Sequence, residues 1–517
     1  MSDQRFRHLL EFFPTGTAEG EKEILHRVFV YADEFERVIS PPPGSPHILV
    51  GTKGSGKTAV LAFSLNLLEE QNIPAIILSP MDVEVDGLTS QTSTGAMARQ
   101  FYDAILDSII VKLSASNSGL FDGDYATLYH DAVSRGLRPP DFLTKFGNFV
   151  STVAKPFVKF DGAAAYSQLS IATQEAVKRA TSRIIGKKSF YLFIDDTDQF
   201  ADPSQPGHLN RVWALLLAAR RLAYDHGDLK IVVSLRAEVW QRLQRDDHGQ
   251  RDQTDHFRRL VVHMKSSREQ VGKILDRRVS LAAAADGSSV ESYEHFFDGP
   301  DAKAPNSQQR RLWKDLIVVR SRARPRDAIQ LVNELASETE SRGLPKVDES
   351  VFHAIMPSFS KAISEQYGEE NRPEFPEALN YLRSLSEIEA DQGRYIFSAD
   401  RCLSHIKSML GRYGATFNGV RLPNEDSTAF EVWRFLYASG VVNARVSDSS
   451  EKDGYKHLQA SSDPYLVQPS RWNDVQKCLW EIDPVFRDFL HMLSEERANF
   501  TGLPTRDKLK KKRSRKR

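Results

Sequence analysis

The chain has 517 residues, 40% hydrophobic and 27% charged, a soluble globular profile too long for one core, so about two to four domains are expected. No apolar run reaches the roughly 18 residues that a membrane-spanning helix needs, and the N-terminus MSDQRFRHLLEFF has no apolar export core, so a cytoplasmic protein is expected. The zero net charge hides an asymmetry: eight of the 69 basic residues lie in Lys508–Arg517, leaving 61 against 69 acidic and a net charge of −8 on residues 1–507.

Residues 1–40 read as a helical lead-in, with EKEILHRVFVYADEFERV at 21–38 amphipathic. PPPGSP at 41–46 ends it, since proline suits neither a helix interior nor a central strand. HILV at 47–50 then reads as a short buried strand, and GTKGSGKT at 51–58 matches G-x-x-x-x-G-K-[ST] at every fixed position. Gly51, Gly54 and Gly56 permit turns whose backbone N–H groups wrap a phosphate, together with those of Thr52, Lys53 and Ser55. Lys57 supplies positive charge for the β- and γ-phosphates, and the Thr58 hydroxyl is a Mg²⁺ ligand. TAVLAFSLNLLEE at 58–70 has apolar residues at helical spacing, so the loop opens a helix whose N-terminus favours an anion.

IPAIILSP at 73–80 reads as a second strand, and residues 95–185 as a helical insertion. SFYLFIDDTDQF at 189–200 is an apolar strand delivering carboxylates at its C-terminal end, where ligands of α/β sheets bind. Asp195 is the expected Mg²⁺ partner of Thr58, and Asp196 the residue that orients or deprotonates the attacking water. Asp198 either caps a helix or supports these carboxylates. HLNRVWALLLAARRLAYDHG at 208–227 is a helix ending at Gly227, and KIVVSLR at 230–236 a buried strand ending on Arg236. Arg236 contacts the γ-phosphate or forms a salt bridge to Asp195 or Glu238. RRLVVHMK at 258–265 is a fifth strand, and its first residues Arg258 and Arg259, after DQTDHF at 252–257, are candidates for acting on a neighbour's nucleotide. Strands alternating with helices predict a parallel sheet, an α/β P-loop core over 41–265.

From residue 266 to 370 the pattern is all-helical, a lid: 267–285, 311–319, 324–343 and 349–370. In RARPRD at 322–327, Arg322, Arg324 and Arg326 surround a helix start with Pro325 in its first turn, and arginine suits bidentate phosphate contact. Residues 371–500 read as a separate domain. The lone cysteines Cys402 and Cys478 are read as buried thiols in a reducing compartment.

GTKGSGKT, FIDDTDQF, VVSLR and RPRD, in this order, resemble an ASCE-type P-loop ATPase of the AAA+/STAND group, near its origin-recognition-like branch. The resemblance spans about residues 40–360. It makes GTKGSGKT a Walker A motif and FIDD a Walker B motif, with ATP and Mg²⁺ as cofactors. Arg236 then falls at a strand-end sensor position and Arg324 and Arg326 at a lid sensor position. Two departures tilt the reading from a motor towards a switch: Asp196 stands where motors carry glutamate, and Ser234 and Leu235 precede Arg236 where motors carry a polar sensor.

Residues 371–500 resemble the winged-helix modules that follow such lids, with helices at 378–388, 402–414 and 427–440, and VVNARV at 441–446 and KHLQAS at 456–461 as the wing. Winged helices bind DNA or proteins, and both stay open. The basic tail reads as disordered, either a sequence-independent contact to DNA phosphates or a solvated segment. The expected function is an ATP-hydrolysing regulatory switch that controls oligomerisation or partner binding, in defence or DNA-associated processes. The alternative is an ATP-controlled DNA-binding or loading module with slow incidental hydrolysis. A GTPase lacks its N-K-x-D base-reading motif.

Overall fold

The computed structural model describes residues 4–17, 20–31, 33–83, 85, 92–116, 189–201, 208–245, 256–264, 267–288, 292–307, 309–388, 395–449, 454–458, 460 and 463–501. The insertion expected over 95–185 lies outside the described residues beyond 116, as does the basic tail. The chain divides into two compact units, residues 17–265 and residues 1–16 with 266–517. The first helix, α1 (Gln4–Phe12), therefore belongs with the later part of the chain.

The unit of residues 17–265 begins with α2 (Leu25–Val28) and α3 (Asp33–Val38), where one amphipathic helix over 21–38 was expected. The chain leaves the helical region at Phe29, with φ −64° and ψ 136°. The reason is aromatic packing: the Phe29 ring stacks on Phe63 with centroids 4.0 Å apart and meets Phe35 edge-on at 5.6 Å. β1 (His47–Gly51) leads through the glycine-rich loop into α4 (Lys57–Glu70), which carries Phe63. Then come β2 (Ala75–Leu78), α5 (Thr94–Ser116), β3 (Phe190–Ile194), α6 (His208–Asp225), β4 (Leu229–Arg236), α7 (Ala237–Arg245) and β5 (Val261–His263).

The five strands pair in parallel in the order β2-β3-β4-β1-β5, the expected α/β architecture. Strand periodicity sends alternate side chains to opposite faces. Ile48, Val50, Leu192, Ile194, Ile231, Val233 and Leu235 join one core with α5, α6 and α7. Leu49, Phe193, Val232 and Val262 join the other with α2, α3 and α4. Both faces are covered, so the strands are near-continuous apolar runs.

In the other unit, α1 buries Phe6, Leu9 and Phe12. It packs against α8 (Arg268–Ala285), whose Arg278 Nη1 donates to the Phe12 carbonyl at 2.6 Å. β6 (Asp301–Lys303) and β7 (Arg310–Leu312) form an antiparallel hairpin that the all-helical expectation missed. Its strands are held by Arg310, whose Nε meets Asp301 Oδ1 at 2.6 Å. The helix expected at 311–319 accordingly starts two residues later, as α9 (Trp313–Arg320). α10 (Pro325–Ser341) and α11 (Glu349–Asn371) complete the helical part, and Asn333 of α10 donates to the Phe13 carbonyl at 2.6 Å. Ser267 caps α8 by accepting from Gln270 N–H, and Asp348 caps α11 by accepting from Val351 N–H, each at 3.0 Å.

The remainder is an α+β module: α12 (Ala378–Ser384), β8 (Ile396–Ser398), α13 (Ala399–Tyr413), the small hairpin β9 (Thr416–Phe417) and β10 (Val420–Arg421), α14 (Asp426–Ala438), β11 (Val442–Ser447), β12 (Tyr455–Leu458), α15 (Trp472–Lys477), β13 (Leu479–Ile482) and α16 (Arg487–Thr501). β11 and β12, which fall on the segments read at 441–446 and 456–461, pair antiparallel. One further strand, β13, inserts between β11 and β8 to give the order β12-β11-β13-β8. Cys402 and Cys478 are buried and free, and burial pushes both thiols up from their ordinary pKa.

Candidate functional site

The parallel sheet brings the ends of β1, β3 and β4 to one edge. Gly51, the last residue of β1, lies in register with Arg236, the last residue of β4. Ile194 of β3 lies in register with Val233 of β4, so Asp195 follows beside Ser234. Five sequence-predicted residues thereby come to one edge of a single unit: Gly51, Lys57, Asp195, Asp196 and Arg236.

The loop between β1 and α4 has the backbone the motif demands. Gly56 sits at φ 96°, ψ 17° immediately before α4, a conformation that L side chains rarely adopt. A Cβ on Gly51 would lie 2.6 Å from Ser55 Oγ, so only glycine lets the loop fold so tightly over the strand end. The Ser55 hydroxyl is buried and has no hydrogen-bond partner among the described residues. Lys57 turns back over the loop and donates from Nζ to the carbonyls of Gly51 at 2.9 Å and Thr52 at 3.2 Å. Burial lowers the Lys57 pKa, opposed by Asp198 first and then by Glu238, with Arg236 adding to the lowering and Asp195 opposing it. Thr52, Lys53, Gly54 and Thr58 complete the loop and the first turn of α4.

Asp195 is buried, and its Oδ1 accepts a hydrogen bond from the Ser234 hydroxyl. The same hydroxyl accepts from the Asp196 N–H at 3.2 Å, and the Ser234 carbonyl accepts from Thr197 Oγ1, which donates to it. Ser234 thus ties β4 to the chain leaving β3. At the sequence level it stood only as a departure from the motor pattern; the available signal was a lone hydroxyl inside the buried run KIVVSLR. Asp196 is exposed and adopts φ +51°, the left-handed region that aspartate tolerates better than most residues. This bend turns the chain into a short 3₁₀ segment, Thr197–Ala201, whose first turn holds Asp198.

Arg236 pairs with neither Asp195 nor Glu238 among the salt bridges of the described residues: its Nη2 meets Asp198 Oδ2 at 2.9 Å. Burial raises the Asp198 pKa, and the charges of Arg236 and Lys57 oppose that rise. Glu238, at the start of α7, has a buried Oε2 without a hydrogen-bond partner among the described residues.

The donor set fits Mg²⁺. Buried Asp195 and the hydroxyl of Thr58 offer hard oxygens that could hold Mg²⁺, an ion that takes one or two carboxylates with phosphate oxygens rather than an all-protein cage. Among the described residues no three His, Cys, Asp or Glu side chains converge as a metal set of their own.

Arg324 and Arg326 belong to the other compact unit. Arg324 Nη1 lies 3.5 Å from Glu370 Oε2, and Arg326 packs against Gly16, where a Cβ would lie 2.9 Å from the Arg326 carbonyl. Arg322 is held by Asp327 at 2.9 Å, with side-chain exposures of 5% and 2%, so this arginine serves the helix start. Arg322 and Ala323 both take positive φ, +54° and +50°, just before Pro325.

Residues 269–366 match the family model of the FunZ-associated C-terminal helical domain, which covers most of α8 to α11. No curated protein matches the chain. Among solved structures the chain is similar to the Aeropyrum pernix ORC2 protein in ADPNP–ADP complexes, at 12% identity and TM-score 0.41, with 93% of this chain and 95% of that chain covered. It is also similar to Cdc6p of Pyrobaculum aerophilum, at 12% identity and TM-score 0.29, covering 93% and 94%. A third is the Drosophila ORC bound to DNA, at 13% identity and TM-score 0.29, covering 97% and 99%.

Proposed function

We propose that the chain is a Mg²⁺-dependent ATPase that works as a regulatory switch, its nucleotide state controlling assembly or partner binding. The observation that carries this reading is the convergence at one sheet edge of the glycine-rich loop, buried Asp195 and Arg236, with Lys57 in the field of Asp195, Asp198, Glu238 and Arg236. The loop N–H groups and Lys57 bind the β- and γ-phosphates, for which Lys57 exchanges its two carbonyl partners. Thr58 and Asp195 would hold Mg²⁺, which would supply charge neutralisation at the phosphate oxygens. The exposed carboxylate of Asp196 orients the attacking water and takes its proton. Arg236 answers to the γ-phosphate. In this reading the chain comprises a core over 41–265, a lid over 266–370, a winged-helix-like module over 371–500 and a basic tail.

The test is Mg²⁺-dependent phosphate release by purified protein, with particle size by light scattering, with and without ATP and DNA. Turnover near or below the lower end of about 1–100 s⁻¹ is expected, together with an ATP-dependent change of size. Protein that neither binds nor hydrolyses ATP overturns the reading. Turnover that requires DNA, with no change of size, favours the DNA-loading alternative.

A further inference from the structure

We propose that Asp198 is an internal rival of the γ-phosphate: its carboxylate holds Arg236 until a triphosphate takes the guanidinium, and so sets how strongly the site prefers triphosphate over diphosphate. This inference rests on the nucleotide reading above and deepens it.

Three observations converge on Asp198. First, Arg236 springs from the residue in register with Gly51, where the phosphate loop begins, so its guanidinium starts beside the phosphate site. Its partner there is Asp198, at 2.9 Å, with side-chain exposures of 31% for the arginine and 11% for the aspartate. Second, the backbone is shaped to make that pairing. Asp196 at φ +51° reverses the chain after β3, and Thr197 anchors the turn by donating to the Ser234 carbonyl one strand over. The 3₁₀ turn then returns Asp198 to the end of β4, two residues after the water-orienting carboxylate. Third, burial lowers the Lys57 pKa and Asp198 is the first of the charges that oppose it, in keeping with the pairing of Asp198 and Arg236 beside the phosphate loop.

A carboxylate carries one negative charge and a terminal phosphate up to two, with three acceptor oxygens against two. The triphosphate therefore displaces Asp198 from Arg236, whereas the diphosphate has no γ-group with which to compete. Displaced, Asp198 leaves its arginine partner and is free to report the exchange along the turn that Thr197 anchors. Removing its charge should free Arg236 in advance and lift a like-charge repulsion from the phosphate, both of which favour the triphosphate. An ordinary structural salt bridge would instead alter stability and leave nucleotide preference unmoved.

The experiment measures Kd for a non-hydrolysable ATP analogue and for ADP, each with Mg²⁺, on wild type, Asp198→Asn, Asp198→Ser, Arg236→Ala and the Asp198→Asn/Arg236→Ala double variant, with Tm for each. Asp198→Asn should raise the ratio of triphosphate to diphosphate affinity about ten-fold. The gain should shrink to less than about three-fold in the Arg236→Ala background, because the two changes act through one pair. Asp198→Ser, which keeps a turn-forming side chain, should raise the ratio likewise and provides the test if the asparagine variant folds poorly. A wild type that prefers the triphosphate while both variants leave the ratio unchanged overturns the inference alone. A wild type that binds neither nucleotide overturns the nucleotide reading, and the inference with it.

Discussion

The hydroxyl of Ser234, on β4, donates to the buried carboxylate of Asp195 at the end of β3 and receives the Asp196 N–H at 3.2 Å. Two consecutive candidate carboxylates are thus positioned by one side chain from the neighbouring strand. Ser234→Ala would leave a carboxylate that is 5% exposed without its donor, at a cost of about 1–3 kcal/mol. Tm should fall by several degrees, and turnover should fall more than affinity for ATP, because the loop and Lys57 are untouched. Scanning calorimetry and steady-state kinetics check this. Unchanged turnover with a lowered Tm would reduce Ser234 to a packing role.

Asp196 combines an exposed carboxylate with a left-handed backbone, and substitutions can separate the two. Asp196→Gly removes the carboxylate and suits φ +51°. Asp196→Ala removes it and keeps a Cβ that disfavours this conformation by about 1–2 kcal/mol. Both should bind ATP and lose hydrolysis equally, while only the alanine variant unfolds earlier. If the glycine variant keeps wild-type turnover, Asp196 is not the group that orients water.

The core of the site was legible because its residues are contiguous or end a strand. GTKGSGKT carries its geometry within eight residues, and FIDD and VVSLR each announce a buried strand with a polar terminus. The pairing of Arg236 with Asp198 was not legible, since it depends on strand order and on a backbone reversal at Asp196 that no residue pattern encodes. The hairpin of β6 and β7 was missed for a related reason: strands of three residues are too short to show a period of two. The lead-in is helical as read, but its pattern over 21–38 is split in two at Phe29, whose ring stacks on Phe63. The strand segments at 441–446 and 456–461 follow one another closely in the chain and were readable as a pair, whereas β13 interposes from a distant stretch of chain.

Acid should unfold the α+β module through Glu481. Burial alone would raise this carboxyl, but the hydrogen bond with His457 at 2.9 Å and the Arg487 guanidinium outweigh it and bring the pKa from 4.5 to about 2. The folded pKa is depressed, so the stabilisation is present above pH 4.5 and is lost as pH falls towards about 2. For a side chain 10% exposed the contribution is about 2–3 kcal/mol. Circular dichroism of wild type between pH 6 and 2 should show a loss of stability that Glu481→Gln lacks over the same interval. Parallel pH profiles for the two proteins would remove Glu481 from the account.

The N-terminal segment should contribute heavily to the unit formed with residues 266–517. Phe6, Leu9, Phe12 and Phe13 are each at most 1% exposed. The carbonyl of Phe12 takes a hydrogen bond from buried Arg278, and that of Phe13 takes one from Asn333, so α8 and α10 both grip the end of α1. The Arg278 guanidinium also lies 5.9 Å from the centre of the Phe13 ring. Truncating Phe12 leaves a cavity among these groups, a change that costs about 3–5 kcal/mol in well-packed interiors. Phe12→Ala should therefore lower the denaturation midpoint of this unit without altering the carbonyl that Arg278 uses. Conservative Phe12→Leu should recover more than half of the loss, because it restores most of the buried volume. Denaturant titration followed by tryptophan fluorescence reads the change, since Trp313 is buried in the same unit. An alanine variant with the wild-type midpoint would mean that α1 is a passenger on the helical bundle and that the bundle closes without it.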